Sequence, residues 1–210
     1  MTSRVTILVH GFNKNKSDMA YLEKGLRQAG HEVFSVNLPT TFCSLEECRN
    51  SMFLQINEII KNAAIVNYVA HSMGGLITRS FIEKEKQCNV GNCVFIATPH
   101  NGSKLAKIAD FIPLYSTVFK PIKDLLPNLN FRAFDSNKHF KIGVIAGSQN
   151  EGVIGKLFLP EENDGRVEVS SVKTTDMDDF VILPYGHADI HHKEDTLVLV
   201  DKFLKKGCFL

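Results

Sequence analysis

The sequence has no surplus of charge, no apolar run of membrane-spanning length, no low-complexity tract and no even set of cysteines. Its 24 Lys and Arg face 23 Asp and Glu, for a formal net charge of +1. Without a basic stripe or an acidic tail, no nucleic acid partner is expected. A membrane-spanning helix needs about 20 consecutive apolar residues, which the chain does not have, so no stable membrane insertion is expected. The opening run Val5–Val9 is too short for the core of a secretory signal. It leads into His10-Gly11 rather than a small-residue cleavage site. Cys208 sits too close to the end for prenylation. A cytoplasmic protein is expected, although a mature form that has shed a leader fits the same residues. The sequons at Asn15 and Asn101 matter only for a secreted eukaryotic protein. Cys43, Cys48, Cys88, Cys93 and Cys208 are odd in number and scattered, which suits free, mostly buried thiols. Cys88 and Cys93 are near enough to pair or to share a metal, but no second pair at zinc-like spacing joins them.

What is present is ordinary globular composition, 44% hydrophobic and 22% charged over 210 residues, enough for one domain with a sizeable core. Short β-rich runs predict strands at 5–9, 32–37, 64–70, 92–97, 141–146 and 180–183. They do not alternate cleanly, as expected of strands covered on both faces. Between them, helical spacing predicts helices over 17–29, 45–61, 76–86 and 196–206. Phe53, Ile56, Ile59 and Ile60 are the expected inner face of the second. This β-α rhythm implies a doubly wound, mostly parallel sheet with helices on both faces. One stretch, 104–140, is far longer than a crossover, and it carries Phe111, Leu114 and Tyr115 among several other apolar residues.

The most informative run is Ile65–Ile77. An apolar strand stops at Ala70-His71-Ser72-Met73-Gly74-Gly75, and a helix pattern follows. A nucleophile elbow needs a serine on a tight strand-to-helix turn, with small residues two before and two after it. The helix N-terminus behind the serine favours developing negative charge. His71 adjoins the serine, yet the elbow turns neighbouring side chains apart, so packing or support of the elbow, not base chemistry, is its expected role. Upstream, Leu8-Val9-His10-Gly11-Phe12 ends the first strand, and Gly11 lets the backbone approach a substrate oxygen. The N–H groups of Phe12 and Met73 are the candidate oxyanion donors, with His10 bracing the loop.

At these residues, and at Thr98-Pro99-His100-Asn101-Gly102-Ser103, the sequence resembles the α/β-hydrolase superfamily, in particular small bacterial lipases and esterases. The resemblance implies a minimal six-stranded α/β-hydrolase fold, without the superfamily's first two strands and with spatial order 2-1-3-4-5-6. It places 104–140 where a cap or lid would lie and His100 in a supporting loop. Its triad order is Ser, then acid, then His. Asn163-Asp164-Gly165 resembles the acid loop and nominates Asp164, with Glu161 and Glu162 in reserve. Gly186-His187 follows the last strand as the catalytic histidine does, so His187 is expected to be the base. His191 and His192 are expected to begin the last helix region. A metal on His187, Asp189, His191 and His192 is the alternative, but no open metal site completes it, and neither a metal nor a cofactor is expected. The implied activity is cleavage of a small-molecule carboxylic ester by Ser72, Asp164 and His187 through an acyl-enzyme. Phe111, Leu114 and Tyr115 either line an apolar acyl pocket or simply pack the insert. A thioesterase, an amidase and a non-catalytic ligand-binding scaffold remain alternatives.

Overall fold

A computed structural model describes residues 3–85, 89–102, 104, 133–135, 138–150 and 159–210. Six strands form one sheet: β1 (Arg4–Val9), β2 (Glu32–Ser35), β3 (Ile65–His71), β4 (Val90–Ile96), β5 (Ile142–Gly147) and β6 (Asp179–Leu183). Their order is β2-β1-β3-β4-β5-β6, as the resemblance implied. Every pairing is parallel, so the sheet is wholly rather than mostly parallel. Five helices are described: α1 (Ala20–Gln28), α2 (Leu45–Asn62), α3 (Met73–Glu85), α4 (Val169–Val172) and α5 (Glu194–Lys206).

The strands send alternate apolar side chains to opposite faces. Val5, Ile7 and Val9 of β1 join Val66, Tyr68 and Ala70 of β3 in a core covered by α2, α3 and α4. Leu8, Val69, Val94 and Ile145 face the other way, onto Leu22 and Leu26 of α1 and Val200, Phe203 and Leu204 of α5. Both faces are therefore dry, which is why the sequence shows runs rather than clean alternation. A bulge lets Asn67 of β3 take the Asn92 N–H on its Oδ1 at 2.8 Å.

Three expectations about the helices are corrected. The segment 17–29 is a 3-10 turn, Lys16–Met19, followed by α1, because Asn15 caps the turn and takes the Ser17 N–H at 2.9 Å. α2 starts on a capping box made by Ser44 and Glu47, but its buried face is Leu45, Cys48, Arg49, Met52, Ile56 and Ile60. Phe53 and Ile59 are only half-buried at its edge. α3 begins at Met73, three residues before the expected start, since the elbow turns directly into the helix. The paired glycines that looked like a turn lie inside it. A Cβ on Gly74 would sit 2.5 Å from the His10 carbonyl oxygen, so its absence lets α3 pack on the end of β1.

Arg79 of α3 is buried and forks onto Asp176, with Nη2–Oδ1 at 2.6 Å and Nη1–Oδ2 at 2.9 Å. Asp176 also takes the Phe134 N–H at 2.8 Å, and the guanidinium lies over Phe95 and Phe134. Burial works to raise the Asp176 pKa, but these partners overcome it and hold the carboxyl down at about 2. Most of 104–140 lies outside the described residues, and with it the acyl-pocket expectation for Phe111, Leu114 and Tyr115. Cys88 lies outside them too. Among the described residues, no helix is long and apolar enough to cross a membrane.

Candidate active site

Strand order reverses between β1 and β3, and the crevice outside the carboxyl ends of such strands is where open α/β sheets place ligands. β1 leads there into His10-Gly11 and β3 into Ser72. Ser72 adopts φ +54, a left-handed conformation that a side chain disfavours. The turn is held by the Ser72 N–H on the Ile96 carbonyl at 2.9 Å and the Gly75 N–H on the Ser72 carbonyl at 3.0 Å.

The structure brings Ser72, His187 and Asp164 into one line. His187 Nε2 is 2.9 Å from Ser72 Oγ, and His187 Nδ1 is 2.7 Å from Asp164 Oδ2. A carboxylate only accepts, so Nδ1 carries the proton and the Nε2 lone pair faces the serine hydroxyl. Asp164 is buried, and its other oxygen takes the Arg166 N–H at 3.0 Å and the Val167 N–H at 2.8 Å. The His187 N–H also donates to the Asp164 carbonyl at 2.9 Å, tying the two loops by backbone. The reserve carboxylates lie elsewhere: Glu161 accepts from Ser170 Oγ and lies 3.6 Å from the Lys104 ammonium, and Glu162 is exposed.

The loop after β1 is braced by His10 and by Thr40, a residue the sequence did not single out. His10 Nε2 takes the Leu38 N–H at 2.9 Å, so the proton is on Nδ1, which donates to the Gly11 carbonyl at 3.0 Å. Burial lowers the His10 pKa in spite of that bond, so the ring stays neutral. Thr40 Oγ1 donates to the same carbonyl at 2.9 Å. With the Gly11 carbonyl held from that side, a trans peptide directs the Phe12 N–H to the opposite side. Gly11 itself lies against the elbow: a Cβ there would be 3.0 Å from Ser72 Cβ. The Met73 N–H, in the first turn of α3, has no intrahelical acceptor.

Three further histidines have defined places in the chain. His100 Nδ1 donates to the Val172 carbonyl at 2.6 Å, and burial pushes its pKa down to about 3. His191 and His192 close the 3-10 turn Ile190–His192 just before α5. Thr40, and the partners of His71 and Asp18, carried no sequence signal, because each contact joins residues far apart in the chain.

Asp18, His191 and His192 place one potential ligand atom each within 4.8 Å of one another. Their arrangement suits an ion-pair cluster better than a metal. The two imidazole rings are in contact, centroids 3.9 Å apart with planes inclined by 41°, whereas ligands of a tetrahedral ion splay outward. The Lys14 ammonium lies 3.2 Å from Asp18 Oδ1. A metal on His191 Nε2 would also leave a proton on Nδ1, which is buried without a partner among the described residues. Burial works to raise the Asp18 pKa, but His191 and Lys14 outweigh it and hold the carboxyl at about 2.

The family model described as "Domain of unknown function (DUF7379)" matches residues 2–133. No curated protein sequence matches the chain. Solved structures do resemble it. The mature lipase BlEst2 of Bacillus licheniformis superposes with TM-score 0.79 at 18% identity, over 97% of this chain and 91% of that one. The metagenomic carboxyl esterase MGS0156 gives 0.71 at 11% identity, over 89% and 65%. A thermophilic esterase from Thermogutta terrifontis gives 0.65 at 15% identity, over 98% and 90%. The fold is that of the α/β-hydrolases.

Proposed function

We propose that this chain, which belongs to the DUF7379 family of domains of unknown function, is a serine hydrolase that cleaves small carboxylic esters. The observation that carries the reading is the unbroken line Ser72–His187–Asp164, with bonds of 2.9 and 2.7 Å. In this reading His187 takes the Ser72 proton as Oγ attacks the ester carbonyl. The tetrahedral oxyanion lies between the N–H groups of Phe12 and Met73. His187 then protonates the departing alcohol, leaving an acyl-serine. Water attacks that acyl group, His187 takes its proton, and the carboxylic acid leaves as Ser72 regains its hydrogen. Asp164 holds the Nδ1–H tautomer throughout and stabilises the imidazolium.

Solved structures of the same fold carry the names lipase and esterase, which favours ester chemistry over other acyl transfers. We assign 104–140 the place of a cap, with Phe111, Leu114 and Tyr115 favouring an apolar acyl chain. The near-neutral net charge of +1 supports a small-molecule partner rather than a nucleic acid. Among the described residues, Cys43, Cys93 and Cys208 are free thiols, which fits a reducing, cytoplasmic setting. The test is a panel of p-nitrophenyl esters of increasing chain length beside matched amides and acyl-thioesters. Ester turnover that disappears in Ser72→Ala is expected. Preference for thioesters or amides would replace the substrate class, and the absence of turnover on all three would overturn the reading.

A further inference from the structure

His71 occupies a place that its role as a neighbour of the nucleophile does not require. The ring is buried and meets three parts of the site at once. Its Nε2 lies 3.0 Å from the backbone carbonyl of His187. A carbonyl only accepts, so Nε2 carries the proton and Nδ1 is a bare lone pair. That lone pair is turned toward the oxyanion loop, 3.4 Å from where a Cβ on Gly11 would lie. Among the described residues it has no hydrogen-bond partner. The face of the ring stacks on His191, centroids 3.9 Å apart and planes inclined by 23°. His191 is in turn fixed by Asp18, 3.1 Å from its Nε2. The His187 ring lies 4.9 Å from that of His71.

We propose that His71 is a positioning residue for the base: by donating Nε2–H to the His187 carbonyl, with its ring backed by the Asp18–His191 pair, it sets where the His187 imidazole stands relative to Ser72. This rests on the serine-hydrolase reading above. Asp164 holds His187 by the ring Nδ1 and by the backbone N–H, which fixes that side of the residue but not its carbonyl end. His71 supplies the hold at the other end. The residue must also be uncharged, because His187 becomes a cation in the transition state and a second cation 4.9 Å away would oppose it. His71 meets that condition. Burial above all, then the neighbouring charges of His191 and His187, lowers its pKa well below the ordinary histidine value. Lys14 and Asp18 lie beyond His191, where they pair with each other.

The test compares wild type, His71→Phe and His71→Gln at a temperature where all three are folded. Glutamine reaches the same place with an N–H donor, and phenylalanine keeps the ring without one. His71→Phe should lower kcat and the rate of fluorophosphonate labelling of Ser72 by about 10- to 100-fold, the scale of an ångström-level misplacement, with KM unchanged. His71→Gln should stay within about threefold of wild type, since the donor is kept. A labelling rate for His71→Phe equal to wild type overturns the proposal. So does a loss that His71→Gln shares in full. Wild-type protein that neither labels nor turns over an ester overturns the hydrolase reading itself. Should His71→Phe not fold, nitrogen-15 NMR of the wild type decides: a His71 proton on Nδ1 rather than Nε2 overturns the proposal.

Discussion

Replacing Asp164 by asparagine should switch off turnover while leaving the protein folded, and the local hydrogen bonds say why. Asp164 Oδ1 takes two backbone N–H groups, from Arg166 and Val167, at 3.0 and 2.8 Å. An asparagine there must present its oxygen to those donors, because an amide NH2 would face two N–H groups. Its NH2 then occupies the Oδ2 position, 2.7 Å from His187 Nδ1. Facing a donor, His187 takes the other tautomer, with the proton on Nε2 and no lone pair toward Ser72. In a serine protease with the same kind of triad, the aspartate-to-asparagine swap costs about 10⁴-fold in kcat for this reason. That corresponds to about 5 kcal/mol at the transition state. The same order is expected in steady-state ester hydrolysis by Asp164→Asn. Thermal unfolding should move little, since the two backbone bonds survive. Turnover within about tenfold of wild type would refute the tautomer argument.

Thr40→Val keeps the shape of the side chain and removes one of two donors from the Gly11 carbonyl. A lost bond worth about 1 kcal/mol should cut kcat about fivefold and leave KM alone, and a change confined to KM would count against the oxyanion role. Stability should also fall in acid. His71 and His100 have pKa values below the ordinary 6.5 in the folded state, so the unfolded chain binds more protons as pH drops below 6.5. Each should remove about 1 kcal/mol per pH unit in that window, which urea titrations at successive pH values would measure. The carboxyls of Asp18 and Asp176 start to add to this loss only as pH falls through 3.8 toward about 2. Stability that is flat from pH 7 to pH 5 would contradict the burial of neutral histidines.

The strands were legible because each apolar run ends at a turn residue, and the elbow because a strand, a serine and two glycines occur together. The face of α2 was not. Choosing Phe53 and Ile59 as its core ignored Cys48, which is small, and Arg49, whose aliphatic stem is buried while its head meets Glu46 at 3.1 Å. The start of α3 was misplaced because Gly74 and Gly75 read as breakers. They are there for close packing, on β1 and on Thr98. At the site, Ser72, Asp164 and His187 lie in an order the sequence displays. Their supports depend on pairings invisible to local pattern: His71 reaches His187, Asp18 reaches His191, and Thr40 reaches Gly11.

The measurement that bears most directly on the central claim is mass spectrometry of the folded protein after reaction with a fluorophosphonate. The account predicts a single adduct, on the peptide carrying Ser72, absent from Ser72→Ala and greatly slowed in Asp164→Asn. A folded protein that remains unmodified, or an adduct on any other residue, would contradict it.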